Sequence, residues 1–208
     1  MISLLQNKNF KLKDIDAGHH KVTYKGVKAI KCPFDYVIYQ MIITGLRPDL
    51  IIEIGTHAGG STLYYADLLE LNGNGEVHTI DLPENNEDQL LHAHRRIKVF
   101  KNGFDNYETS GLNDFKKIMV IDDGSHMYED VLFALKKFSP FITKDSYYIV
   151  EDGIVTELGI AKQFNGGPQK AVKTFLQEND NFIIDRKWCD LFGPNATFNV
   201  NGYLKRIS

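Results

Sequence analysis

The sequence predicts a doubly wound α/β fold: a mostly parallel sheet with helices on both faces, finished by a C-terminal antiparallel hairpin. Three observations carry that expectation. Short apolar runs rich in branched residues recur along the chain, and they stop at glycine or at acidic residues. Stretches with apolar residues at helical spacing lie between them, the pattern of βαβ units. The final third then changes rhythm to two strand-like stretches joined by a loop.

The elements follow in order. Residues 1–33 are polar, carry scattered lysines and are broken by Gly18, Gly26 and Pro33, so they read as an irregular arm with one short helix. FDYVIYQMIIT (residues 34–44) is apolar enough for a buried helix ended by Gly45 and Pro48. LIIEIG (residues 50–55) is a buried strand stopped by glycine. STLYYADLLEL (residues 61–71) has helical spacing, with Ser61 as its N-cap and Asn72-Gly73 as its stop. EVHTIDL predicts a second strand and EDQLLHAHRRI a second helix. KIMVIDD (residues 117–123) is a strand, MYEDVLFALKKF an amphipathic helix closed before Pro140, and SYYIVED (residues 146–152) another strand. NFIIDRKW and TFNVNGYLKRI, joined through Gly193 and Pro194, complete the chain as an antiparallel pair at one sheet edge. The expected organisation is one domain over 1–208, an arm (1–33) followed by a Rossmann-like core (34–208).

Composition narrows the function. The 208 residues are 43% hydrophobic, too apolar for disorder and enough for a substantial core. Lys plus Arg number 24 against 27 Asp plus Glu, a net charge of -3 that argues against a nucleic-acid-coating protein. Cys32 and Cys189 lie far apart with no metal-ligand spacing, which argues against a disulfide framework and for a reducing compartment. No apolar run reaches the roughly 18–20 residues of a membrane span, and MISLLQNKNFKLKD is too short in its apolar part for a secretory signal. The expected setting is cytoplasmic, with no membrane and no nucleic-acid partner.

In open α/β sheets ligands bind beyond the carboxyl ends of the strands. After the first strand stands Glu53-Ile54-Gly55-Thr56-His57-Ala58-Gly59-Gly60-Ser61. A dinucleotide fingerprint would need glycine where His57 stands, and a P-loop would need lysine where Ser61 stands. An acid followed by G-x-x-x-G-G suits instead a nucleoside without a pyrophosphate. The next strand ends in Asp81, whose carboxylate can accept both ribose hydroxyls. Together these point to S-adenosylmethionine, with Glu53 and the glycine turn near its amino-acid part and Asp81 on its ribose.

The following strand ends are denser in charge. Asp122-Asp123-Gly124-Ser125-His126 closes one strand and Glu151-Asp152-Gly153 the next. Adjacent parallel strands lie about 4.8 Å apart, so these acids converge at one rim. Carboxylates gathered in one cleft repel unless a cation neutralises them, and oxygen ligands suit magnesium or calcium. His126 then stands beside the metal as a general base. His57 faces the same turn as a candidate contact. His92 and His94, two apart on a helix, and His19-His20 in the arm read as surface residues; Trp188 reads as core.

These residues resemble a known family, the magnesium-dependent class I methyltransferases grouped with cephalosporin hydroxylase-type proteins and rhamnosyl O-methyltransferases, related to macrolide-sugar O-methyltransferases. The resemblance runs from about Lys31 to Arg206 through KCPFDYVIYQMI, PDLIIEIGTHAGGSTLYYADLL, IDDGSHMYEDV, SYYIVEDG, GPQKAVKTFL and FNVNGYLKR. IDDGSH followed by IVED is its most specific part. The resemblance implies a seven-stranded sheet with an antiparallel last strand. It implies metal ligation by Asp123 and by Glu151 and Asp152, with Asp152 the safer of that pair, and His126 as base. It places the cofactor on Glu53, Gly55, Thr56, Ser61 and Asp81, with Asp122 a further contact. The implied reaction is metal-assisted methyl transfer from S-adenosylmethionine to a hydroxyl of a sugar or glycosylated small molecule, in a homo-oligomer. No H-x-D/E motif with a distant histidine supports a hydroxylase iron site.

Two other functions compete with this one. A nucleotide-sugar oxidoreductase using NAD is disfavoured by His57, and no Tyr-x-x-x-Lys pair lies downstream of the cofactor loop; Tyr24 with Lys28 precedes it. A non-catalytic cofactor-binding partner subunit has no use for the Asp123, His126, Asp152 set.

Overall fold

The computed structural model describes residues 11–208; residues 1–10, the start of the predicted arm and of the stretch judged against a secretory signal, lie outside them. The arm opens with α1 (Leu12–His19) and a hairpin of β1 (Thr23–Tyr24) and β2 (Val27–Lys28). Lys25 and Gly26 turn that hairpin, both at positive φ, the backbone a two-residue hairpin turn requires. The arm is therefore ordered where the sequence suggested mostly irregular chain. Tyr24 donates to Asp67 at 2.8 Å and Lys25 pairs with the same carboxylate at 2.6 Å, which pins the hairpin to the core.

α2 (Pro33–Leu46) begins with proline in its first turn, where a missing N–H costs nothing. It runs through Gly45 and stops when Arg47 turns left-handed. β3 (Leu50–Ile54) is followed by α3 (Gly60–Asn72), β4 (Glu76–Ile80), α4 (Gln89–Ala93) and β5 (Ile97–Phe100). Two expectations are corrected here. Gly59, not Ser61, is the α3 N-cap. The second helix is five residues long, and Ile97–Phe100 form β5 parallel to β4, entered through a turn at Arg95 and Arg96. Those arginines and Lys98 hid a strand at the sheet edge, where charged side chains are tolerated.

β6 (Ile118–Asp122), α5 (Tyr128–Phe138) and β7 (Tyr147–Val150) follow as expected. α6 (Gly167–Glu178) then packs against α5. β8 (Phe182–Ile184), the short α7 (Arg186–Cys189) and β9 (Tyr203–Arg206) end the chain. β8 and β9 pair antiparallel, but residues 185–202, α7 included, make the connection a long excursion rather than a tight hairpin.

The main sheet has seven strands in the order β5-β4-β3-β6-β7-β9-β8, with β9 antiparallel to both neighbours. Strand alternation decides which side chains face which layer. Leu50, Ile52 and Ile54 of β3 pack into the core shared with α5 and α6, whereas Ile51 packs with α2 and α3. Glu53 has the parity of Ile51 and meets α3. Register sets the site: Ile54 pairs with Ile80 and with Asp122, and Asp122 pairs with Val150. Gly55, Asp81, Asp123 and Glu151 therefore leave the sheet along one line. No helix among the described residues is long and apolar enough to cross a membrane.

Candidate active site

A cavity of about 880 Å³ opens over that line. Gly55, Thr56, Ser61 and Asp81 line one side, and Asp123, His126 and Asp152 the other. Three other predicted residues lie behind its walls. Glu53 is fully buried and accepts from Ser61 Oγ at 2.6 Å, Thr79 Oγ1 at 2.7 Å and the Thr62 hydroxyl. It fixes the start of α3 instead of meeting a ligand. Burial pushes its carboxyl above the usual range, against the Lys31 charge and the three hydroxyls. Asp122, expected to touch the cofactor, is buried beneath Tyr148, whose hydroxyl donates to it at 3.1 Å. Burial raises its pKa to about 7. Glu151, expected on the metal, turns away and is claimed by Lys31 Nζ and Tyr39 Oη, each donating at 2.7 Å. Asp122 has the parity of Val120 and faces the α5–α6 core, whereas Asp123 and Glu151 leave on the opposite face, where Lys31 bonds both. Asp152 reaches the cavity because the chain turns left-handed there, at φ 54°.

On the first side the backbone does most of the shaping. Gly55 has φ +94°, and a Cβ there would lie 2.1 Å from the Asp123 carbonyl oxygen. A Cβ on Gly60 would meet the Lys28 carbonyl oxygen at 2.5 Å, so the arm hairpin lies directly on the first turn of α3. Asp81 accepts from the His57 N–H at 2.7 Å, the Leu82 N–H at 2.8 Å and Asn85 Nδ2 at 2.6 Å. A carboxylate has about four lone-pair sites. Asp81 is thus held rigidly with about one acceptor site left, fewer than the expected pair of ribose contacts would need.

The second side is a knot of charge. Ligand atoms of Asp123, His126 and Asp152 lie within 4.8 Å of one another, and His126 Nε2 is 3.2 Å from Asp152 Oδ2. Lys31, 2% exposed, reaches into this group from behind and pairs with both Asp123 and Glu151. Burial opposes its charge, but those two carboxylates outweigh burial and hold its pKa above the ordinary lysine value. The sequence reading missed Lys31 as a site residue. His19 is also corrected: it is buried, lines the cavity with His20, and meets Phe198 edge-on at 5.0 Å. His92 is exposed as expected.

Four non-glycine residues on the cavity wall have left-handed backbones: Ile30, His57, His126 and Asp152, with φ of 43°, 49°, 59° and 54°. Each costs about 1–2 kcal/mol. Strain of this kind gathers at functional sites, where the surroundings hold it in place.

The strand order, the antiparallel β9 inserted beside β7, the glycine turn after β3 and the acid after β4 define a class I methyltransferase architecture. The family model for "Rhamnosyl O-methyltransferase/CmcI" matches residues 18–207, and the chain belongs to that family of O-methyltransferases. A rhamnosyl O-methyltransferase of Mycobacterium tuberculosis is 30% identical over 197 residues, 89% of this chain and 78% of the relative. Its counterpart in Mycobacterium leprae is 27% identical over 201 residues, 88% of this chain and 82% of the relative. Among solved structures, a CmcI structure described as Mg-SAM superposes with a TM-score of 0.68 at 20% identity, covering 91% of this chain and 78% of that one.

Proposed function

We propose that this protein transfers the methyl group of S-adenosylmethionine to a hydroxyl of a saccharide or glycosylated small molecule, with a magnesium-class cation at Asp123 and Asp152. One observation carries the reading: a single cavity has a glycine turn and a fixed carboxylate on one side and a carboxylate–imidazole cluster on the other. Its volume, about 880 Å³, falls in the range of cofactor sites. The rhamnosyl O-methyltransferases among its relatives support a saccharide acceptor, and the CmcI structure described as Mg-SAM is consistent with both groups.

The donor set fits. Two carboxylates facing one point suit a hard cation, and the absent Cβ of Gly55 lets the turn after β3 lie directly against the Asp123 carbonyl. Bound in this cavity, S-adenosylmethionine supplies an electrophilic methyl group and the cation lowers the pKa of a coordinated hydroxyl. The remaining work falls to the chain. Asp81 accepts a ribose hydroxyl, and the glycine turn orients the amino-acid end. His126 keeps Nε2 toward Asp152, so Nδ1 takes the acceptor proton as the new bond forms. The arm residues His19, His20 and Lys28 wall the cavity and limit which acceptors enter.

Calorimetry on the purified protein tests this, with S-adenosylmethionine and NAD each titrated with and without magnesium. S-adenosylmethionine is expected to bind and NAD to give no heat. Tight NAD binding with no response to S-adenosylmethionine would falsify the methyltransferase reading.

A further inference from the structure

Among the described residues Lys31 is the one ammonium packed among the proposed metal ligands, and everything around it holds it there. It is 2% exposed. Its Nζ donates to Asp123 Oδ2 and, at 2.7 Å, to Glu151 Oε1. Glu151 is in turn fixed by Tyr39 at 2.7 Å, and Tyr39 accepts from Asn199 Nδ2 at 2.8 Å. The residue before it, Ile30, is β-branched and sits at φ 43°, a backbone such residues very rarely adopt. That strain delivers the lysine to the carboxylates. A buried ammonium is costly unless paired, and here it is paired with an acid that faces the cavity cluster as well.

We propose that Lys31 competes with the divalent cation for the Asp123 carboxylate, setting how tightly magnesium is held. This rests on the metal reading above. The site holds three carboxylates, Asp123, Glu151 and Asp152, against one ammonium. The lysine neutralises Glu151 and occupies one oxygen of Asp123, so a cation is drawn by fewer free charges than the sequence suggests. Charges a few ångströms apart in a partly buried site interact strongly, and magnesium affinity should register the loss of this one.

The test is magnesium titration by calorimetry on the whole chain, comparing wild type with Lys31→Met, Glu151→Gln and the double variant. Lys31→Met is expected to bind magnesium about tenfold more tightly, the scale of a freed charge in such a site. Its melting temperature should also rise more on adding magnesium than that of wild type. Lys31→Met leaves Glu151 buried without its partner and can fail to fold, so the double variant against Glu151→Gln repeats the comparison without that acid. Lysine removal should again tighten magnesium about tenfold. Equal or weaker binding on removing the lysine in either background overturns the proposal. A wild type that binds no magnesium at millimolar concentration overturns the metal reading itself, which separates the two failures.

Discussion

The two sides of the cavity solve different problems. Beyond β3 and β4 the wall is made of backbone: a glycine turn, a left-handed His57 and one carboxylate tied by three hydrogen bonds. Beyond β6 and β7 it is made of charge, with Asp123, Asp152 and His126 in mutual reach and Lys31 behind them. The first side is held by its own hydrogen bonds, with about one acceptor site left on Asp81. The second gathers carboxylates in excess of the Lys31 ammonium, and carboxylates this close repel. The proposed nucleoside suits the first, and the proposed cation with its acceptor suits the second.

The sharpest way to break that contrast is His126→Ala. On the charged side a lost base should lower turnover by about 10²- to 10⁴-fold. Cofactor affinity should stay near wild type, and added magnesium should not restore the rate. Rescue by magnesium would show that His126 is a ligand and that the charged side lacks a base among the residues proposed here. Next in size is Asp81→Ala, on the other side. Removing one charge-assisted hydrogen bond should weaken S-adenosylmethionine by about 1.5–3 kcal/mol and leave magnesium affinity unchanged. An Asp81→Ala protein that binds the cofactor like wild type would show that the fixed carboxylate only braces the turn.

The smallest effect concerns what underlies each side. Glu53 backs the first and Asp35 the second, both buried. Burial raises the Asp35 carboxyl to about 6, against hydrogen bonds from Thr197, the Phe198 N–H and Tyr203. A folded-state pKa above the unfolded one means the folded protein holds this proton more tightly. The contribution is therefore full below about pH 4 and lost as pH rises through about 6, no steeper than about 1.4 kcal/mol per pH unit. Urea midpoints measured from pH 4 to 8 should show this decline in wild type and a flatter profile in Asp35→Asn. Identical slopes would mean that Asp35 stays ionised in the fold.

Much of this was readable because β3, β4, β6 and β7 are apolar runs with acids at their ends. Period and position alone therefore brought Asp81, Asp123, His126 and Asp152 to one rim. What sequence obscured was direction. Adjacent acids look alike in a string; parity separates Asp122 from Asp123, but Asp152 enters the cavity through a left-handed turn beyond β7 that no strand pattern announces. Glu53 could likewise have been assigned to the helical layer from its place beside Ile52 and Ile54. Lys31 gave less warning, a single lysine between Ile30 and Cys32 whose partners lie 92 and 120 residues away. β5 was hidden by the two arginines before it and by Lys98, and His19 by a polar arm that folds back over the cavity.

The missing side chain at Gly55 has a consequence for adaptation as well as space. The Asp123 carbonyl fills the place a Cβ would take, so the nucleoside turn and the acid strand touch there through backbone alone. No rotamer intervenes, and neither partner can be displaced without the other. The two walls of the cavity are thereby held at one spacing by two main chains, and no side-chain change at position 55 can widen it gradually.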